Sequence, residues 1–252
     1  TVTLVASEST QAPDVTIGDS LGTVTGSGTT WTAVRALTAD DTEGSITLSI
    51  DYLDLAGNAG EQTTATTDGS VVTFDKTPPV FTAVTVVSNN TYDPALSMVG
   101  DTITVTMVTS ESTQAPDVTI GDSLGTVTGS GTTWTAVRTL TSDDTEGAVT
   151  LSIDYLDLAG NAGAQTTATT DGSVITFDKT APVFTAVTSV SNNTYDTALS
   201  MVGDTVTVTM VASESTQSPD VTIGGTIATV TGSGTTWTAV RTLTSDDTEG
   251  AV

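Results

Sequence analysis

Thirty Asp and Glu against five Lys and Arg give 252 residues a formal charge of −25, so carboxylates are the side chains with chemistry to offer. They recur in short groups: Asp40-Asp41-Thr-Glu43, Asp143-Asp144-Thr-Glu146, and Asp154-Tyr-Leu-Asp157-Leu-Ala-Gly-Asn161, with Asp75 and Asp178 each just before a lysine. Carboxylates so grouped do one of two things. They ligate a hard cation, as calcium takes six to eight oxygens, or a pair about 5–9 Å apart cleaves a glycosidic bond. The chain has no histidine and no cysteine, which excludes imidazole and thiolate metal sites and Ser–His or Cys–His nucleophiles. Aromatic residues are only 4%, too few to wall a substrate cleft, so an enzyme is not expected. The negative charge repels phosphate backbones and excludes a nucleic-acid partner. Apolar runs are a few residues long, so no membrane span is expected in this segment.

The elements that position these acids repeat along the chain. Trp31, Trp134 and Trp237 are spaced by 103 residues, each within Gly-Ser-Gly-Thr-Thr-Trp-Thr-Ala-Val-Arg, and Asp75-Lys76-Thr77 returns as Asp178-Lys179-Thr180. The spacing predicts an N-terminally incomplete repeat over 1–76, a complete repeat over 77–179 and a C-terminally incomplete one over 180–252. The complete unit carries twelve acids and two cations, a net charge of −10. Thr1 and Val252 fall inside strand-like runs, and the copies are nearly identical, so the chain reads as a window cut from a longer array.

Within the unit, Ile103, Val105 and Met107 alternate with Thr102, Thr104 and Thr106, the period-two pattern of a half-buried strand. Further strands are predicted at 81–87, 117–120, 125–128, 132–140, 149–153 and 174–177, with Gly, Asn, Asp and Ser in the gaps. The phase of 132–140 is ambiguous, because Trp134 and Val137 cannot both face inward without a bulge. No window shows a capped helical period. Seven short strands in about 100 residues predict an all-β chain of immunoglobulin-like sandwiches, each plugged by its tryptophan.

At this level the sequence is similar to a known family. Phe-Asp-Lys-Thr-Ala-Pro-Val-Phe, Ser-Asn-Asn, Val-Gly-Asp-Thr-Val-Thr-Val-Thr, Trp-Thr-Ala and Asp-Leu-Ala-Gly-Asn-Ala-Gly resemble the bacterial Ig-like, cadherin-like tandem repeats of giant cell-surface adhesins. The resemblance implies an extended extracellular rod of tandem sandwiches at the cell surface, often stiffened by calcium at domain junctions. Near-identical copies, each adding reach without adding chemistry, point to a structural spacer partnered by neighbouring repeats of the same chain, with assembly of identical chains into a filament left open. The alternative is a glycan- or surface-binding adhesive module, which needs an exposed aromatic platform or a variable loop.

Strand order alone places the acids. In a seven-strand sandwich, connections alternate between a leading pole, where the chain arrives, and a trailing pole, where it leaves. The leading pole of the complete unit receives Glu111, Asp117, Asp154, Asp157 and Asn161; the trailing pole receives Asp93, Asp122, Asp143, Asp144 and Glu146. At the first junction Asp40, Asp41, Glu43 and Asp75 should therefore face Glu111, Asp154, Asp157 and Asn161. At the second, Asp143, Asp144, Glu146 and Asp178 should face Glu214. Calcium would neutralise such a meeting, held by Glu111, Asp157, Asn161 and Asp75 together with Asp41 or Glu43. The competing reading is a solvated acidic coat in which Asp41 and Asp144 cap turns and Asn161 holds a left-handed position. Asp19 and Asp122 become Gly225 in the third copy, so that loop carries no obligatory ligand. Arg35, Arg138 and Arg241 head toward the trailing acids. Asn89-Asn90-Thr91 is a sequon that also reads as a plain turn.

Overall fold

Threonine and valine in alternation favour pleated backbone, and extended strands dominate the computed structural model, which describes residues 1–250. Ala251 and Val252, the end of the expected third repeat, lie outside the described residues. No helix occurs among the described residues, and hence none long and apolar enough to cross a membrane. The chain divides into two compact units, Thr1–Asp178 and Lys179–Val252. The first therefore holds the first and second repeats together, and the second begins one residue before the expected Thr180.

The complete repeat contains ten strands: β1 Phe81–Ser88, β2 Leu96–Ser97, β3 Thr102–Thr109, β4 Asp117–Ile120, β5 Ser123–Leu124, β6 Thr126–Ser130, β7 Thr133–Thr139, β8 Gly147–Ala148, β9 Leu151–Asp154 and β10 Thr176–Phe177. They form a four-stranded sheet β6-β7-β3-β1 and two three-stranded sheets, β5-β4-β9 and β2-β10-β8. All neighbours are antiparallel except β2 and β10. The seven predicted strands are present. The three that sequence reading missed, β2, β5 and β8, are two residues long, too short to show a period.

One core joins the sheets. Val84, Ile103, Val105, Met107, Trp134 and Ala136 of the larger sheet share a buried cluster with Val118, Ile120, Leu151 and Ile153 of β4 and β9, and with Phe177 of β10. The arrangement is sandwich-like: one sheet's inner face closes on another's. The phase of β7 is settled by burial, since Trp134 and Ala136 point inward while Val137 is 36% exposed. In register, Val84, Met107 and Trp134 make one row across the sheet, with Gly129 as the last member. A Cβ at Gly129, where φ is 134°, would lie 2.4 Å from the Thr133 carbonyl oxygen. Glycine is required there to let the β6–β7 hairpin close over the indole.

The indole of Trp134 donates from Nε1 to Thr113 Oγ1 at 2.8 Å, and both residues are buried. Trp31 to Thr10 and Trp237 to Thr216 repeat the bond at 2.9 Å. This threonine ties the loop after β3 to the core, so the tryptophan fastens the pole that carries Glu111. Trp134→Ala is expected to destabilise the first unit by about 3–5 kcal/mol, and Trp134→Phe, which loses chiefly the hydrogen bond, by about 1 kcal/mol. Chemical denaturation read by circular dichroism checks both values.

Candidate acidic site at the first linker

The site is built on the loop after β9. In Asp157-Leu-Ala-Gly-Asn161, the Asp157 Oδ1 accepts the backbone N–H of Gly160 at 2.6 Å and of Asn161 at 2.8 Å. Its Oδ2 accepts Asn161 Nδ2 at 2.7 Å. Gly160 supplies the turn with φ of 100°, and no other residue type among those described has positive φ. The left-handed position expected at Asn161 is therefore taken by Gly160, which lacks the Cβ that opposes it. The first repeat forms the same loop, with Asn58 donating to Asp54 from the backbone at 2.8 Å and from Nδ2 at 2.7 Å. Its shape is thus a local property of five residues. Gln114 Nε2 closes the loop by donating to the Asp157 carbonyl at 2.8 Å.

The linker brings a second carboxylate. It is pinned upstream by Lys76, whose Nζ donates to the carbonyls of Ala39 at 2.7 Å and Asp41 at 2.9 Å. Downstream, Val80 and Ser110 exchange hydrogen bonds: Val80 N–H donates to Ser110 Oγ at 3.1 Å and Ser110 N–H to the Val80 carbonyl at 2.8 Å. Pro79 between them is buried. Held at both ends, the linker places Asp75 beside the leading loops, where Asn161 Nδ2 donates to its carbonyl at 3.2 Å. One carboxylate oxygen each from Asp75, Glu111 and Asp157 lie within 4.8 Å of one another. Glu43 stands at the rim, accepting Thr77 Oγ1 at 2.7 Å and interacting with Asp75.

The charges of this group are unequally compensated. Burial pushes the Asp157 carboxyl up, but the Asn161 and Gly160 donors outweigh it and hold it below the usual aspartate value. The Thr77 hydroxyl chiefly holds Glu43 down. Glu111 is pushed above the ordinary value, first by burial and then by Asp75, Asp157 and Glu43 in turn. Lys76 is turned toward carbonyls. The group therefore has oxygen ligands, a shared focus and an uncompensated charge, which is the donor set a hard divalent cation takes.

The other expected ligands lie elsewhere. Asp41 is buried in an ion pair with Arg35 and accepts Thr38 N–H at 2.7 Å. Asp144 repeats this, pairing with Arg138 Nη2 at 2.6 Å and accepting Thr141 N–H at 2.7 Å. Arg138 also donates to the Ile120 carbonyl at 2.9 Å, so each arginine ties its own repeat together. Asp154 lies opposite Asp117 in the β4–β9 register and accepts Gln165 Nε2 at 2.9 and 3.0 Å. Asp40 and Asp143 are exposed turn residues. Asp144, Glu146 and Asp178 belong to the first unit and Glu214 to the second. Sequence reading missed Thr77, Lys76 and Gln114, which fix the site without carrying its charge. The arginines expected to head toward the trailing acids do so, each pairing with the aspartate six residues on: Arg35 with Asp41, Arg138 with Asp144 and Arg241 with Asp247.

Fold and site together define an all-β, sandwich-like repeat chain with an acidic cluster at a repeat linker. Compared with known proteins, the chain matches no family model and no curated protein.

The shifts have opposite signs. Glu111, raised in the fold, contributes stability that is complete below its ordinary 4.5 and lost as pH rises through its folded value. Asp144 and Asp157, lowered in the fold, contribute stability present above 3.8 and lost as pH falls through their folded values. In cation-free buffer Glu111→Gln is expected to melt above the parent protein at pH 7. The advantage should shrink toward pH 4.5 and vanish below it, with the acid limb unchanged. Thermal melts across pH 3–8 check this.

Proposed function

We propose that this chain is a spacer segment of a long extracellular adhesin or fibre at a cell surface, built from tandem Ig-like sandwiches and stiffened by calcium at the repeat linker. The observation that carries the reading is the convergence of Asp75, Glu111 and Asp157 from a linker and two loops of the following repeat. Asp75 belongs to the chain leaving one repeat, whereas Glu111 and Asp157 belong to the next. A cation shared by them fixes one repeat against the other and removes the repulsion that three confined carboxylates impose. Asp75, Glu111 and Asp157 would hold it, with Glu43 and the Asn161 side chain at the rim. Near-identical repeats suit a spacer, because each adds length without adding chemistry.

The adhesive-module alternative has one observation in its favour. Tyr92 is 73% exposed and its counterpart Tyr195 is 96% exposed, each on the turn after the first strand of its repeat. A single ring per repeat is less than a stacking platform, and the tryptophan that would supply a second is buried, so the spacer reading is preferred.

Calcium binding at the linker is expected to raise the melting temperature of the first unit, by about 2.7 kcal/mol of added stability at a hundredfold excess over Kd. Asp157→Asn and Glu111→Gln are expected to abolish that increment. Calorimetric titration and small-angle scattering with and without chelator test it. An unchanged melt, an unchanged maximum dimension and no calcium uptake would reduce the cluster to a solvated coat.

A further inference from the structure

Both lysines of the chain stand at one repeat position, Lys76 and Lys179, each directly after an aspartate. With thirty acids in the chain, a lysine beside Asp75 is expected to lie against a carboxylate. Among the described residues the ion pairs are made instead by Arg35, Arg138 and Arg241. Lys76 gives its Nζ to two backbone carbonyls, Ala39 at 2.7 Å and Asp41 at 2.9 Å. It does so although Asp75, its neighbour in the chain, is one of three converging acids. The ammonium is therefore not placed as the counter-ion of the group it adjoins.

The carbonyls it takes belong to a braced loop. Asp41 is fixed by its ion pair with Arg35, and its carboxylate accepts the Thr38 N–H at 2.7 Å. Its own N–H donates to the Thr38 carbonyl at 3.1 Å, and Thr42 N–H donates to Asp19 Oδ2 at 2.7 Å. From this loop the ties run into the linker residue by residue. Lys76 anchors its own backbone, and Thr77 Oγ1 donates to Glu43 at 2.7 Å. Thr77 N–H donates to Asp75 Oδ1 at 3.1 Å, which sets the carboxylate. On the far side, Asn161 Nδ2 donates to the Asp75 carbonyl at 3.2 Å. An Asp75 carboxylate oxygen is thus brought within 4.8 Å of oxygens of Glu111 and Asp157 from the side of the preceding repeat, against repulsion from both.

We propose that Lys76 is the positioning residue of the linker site. Held by the Ala39 and Asp41 carbonyls, it keeps Asp75 against Glu111 and Asp157 when no cation is present, and so raises the affinity of these oxygens for a divalent cation. The gain in affinity rests on the calcium reading, whereas the placement of Asp75 does not. Positioning and charge screening act in opposite directions here. A nearby ammonium acting as a charge lowers the repulsion at Glu111 and competes with the cation. An ammonium acting as an anchor maintains that repulsion and has the ligands in place beforehand, so less conformational freedom is lost on binding. Asp41, whose carboxylate faces Arg35 and is no ligand, takes part in this chain of contacts through its carbonyl.

Lys76 is exposed, so Lys76→Met leaves the core intact and keeps the aliphatic stem. In chelator at pH 7, a double-mutant cycle with Glu111→Gln reads the coupling. Glu111→Gln is expected to raise the melting temperature of the parent chain, and by less than half as much in the Lys76→Met background, where Asp75 is free to withdraw. An equal or larger increment in that background would overturn the proposal, as would no increment in the parent chain. Calorimetric titration with calcium is the second arm. Lys76→Met is expected to weaken binding about tenfold even though it removes a positive charge. Equal or tighter binding would overturn the gain in affinity. A parent chain that takes up no calcium would sink the calcium reading, while the cycle in chelator would still decide whether Lys76 places Asp75.

Discussion

A carboxylate that leaves water must find donors or a cation, and with thirty acids against five bases this chain has far more carboxylates than ion-pair partners. Its structure is largely a record of how that constraint is met. Asp41 and Asp144 take an arginine and a turn N–H. Asp157, more deeply buried, takes three donors from its own loop and needs no base. Asp154 and the turn acids stay at the surface, where water screens them. Glu111 is the exception, since burial and three acidic neighbours act on it in the same direction.

That exception sits at a pole whose loops and linker are tied down from several sides. The indole–threonine bond anchors the loop after β3, the loop after β9 is closed on itself, and the linker is tied down on both sides. None of these ties involves the charge of Glu111 or Asp75. The scaffold thus holds two carboxylates close together against their mutual repulsion, which is the arrangement the proposed cation reading starts from.

Repetition also separates local from non-local causes. The loop of Asp54 repeats both asparagine bonds of the Asp157 loop, so its five residues suffice to shape it. By contrast, the pairing of the Asp117–Ile120 strand and the cover over Val84 depend on β9 and Thr170, partners more than thirty residues away in sequence.

The sequence by itself determined the all-β class, the 103-residue period, the six strands of four or more residues together with the short Thr176–Phe177, and the inward tryptophan. Alternation, turn residues and spacing are properties of neighbouring residues, and they survive without knowledge of the fold. It also brought Glu43, Asp75, Glu111, Asp157 and Asn161 to the same junction, since strand parity decides the pole at which a loop emerges. Tertiary structure alone decided between Asp41 and Glu43. They are two residues apart on one loop, yet Asp41 turns inward to Arg35 while Glu43 reaches Thr77 across the linker. It likewise kept Asp154 out of the cluster and gave the left-handed turn to Gly160 rather than Asn161. Which way a side chain faces within a loop depends on the packing of distant strands beneath it, and spacing carries no information about that.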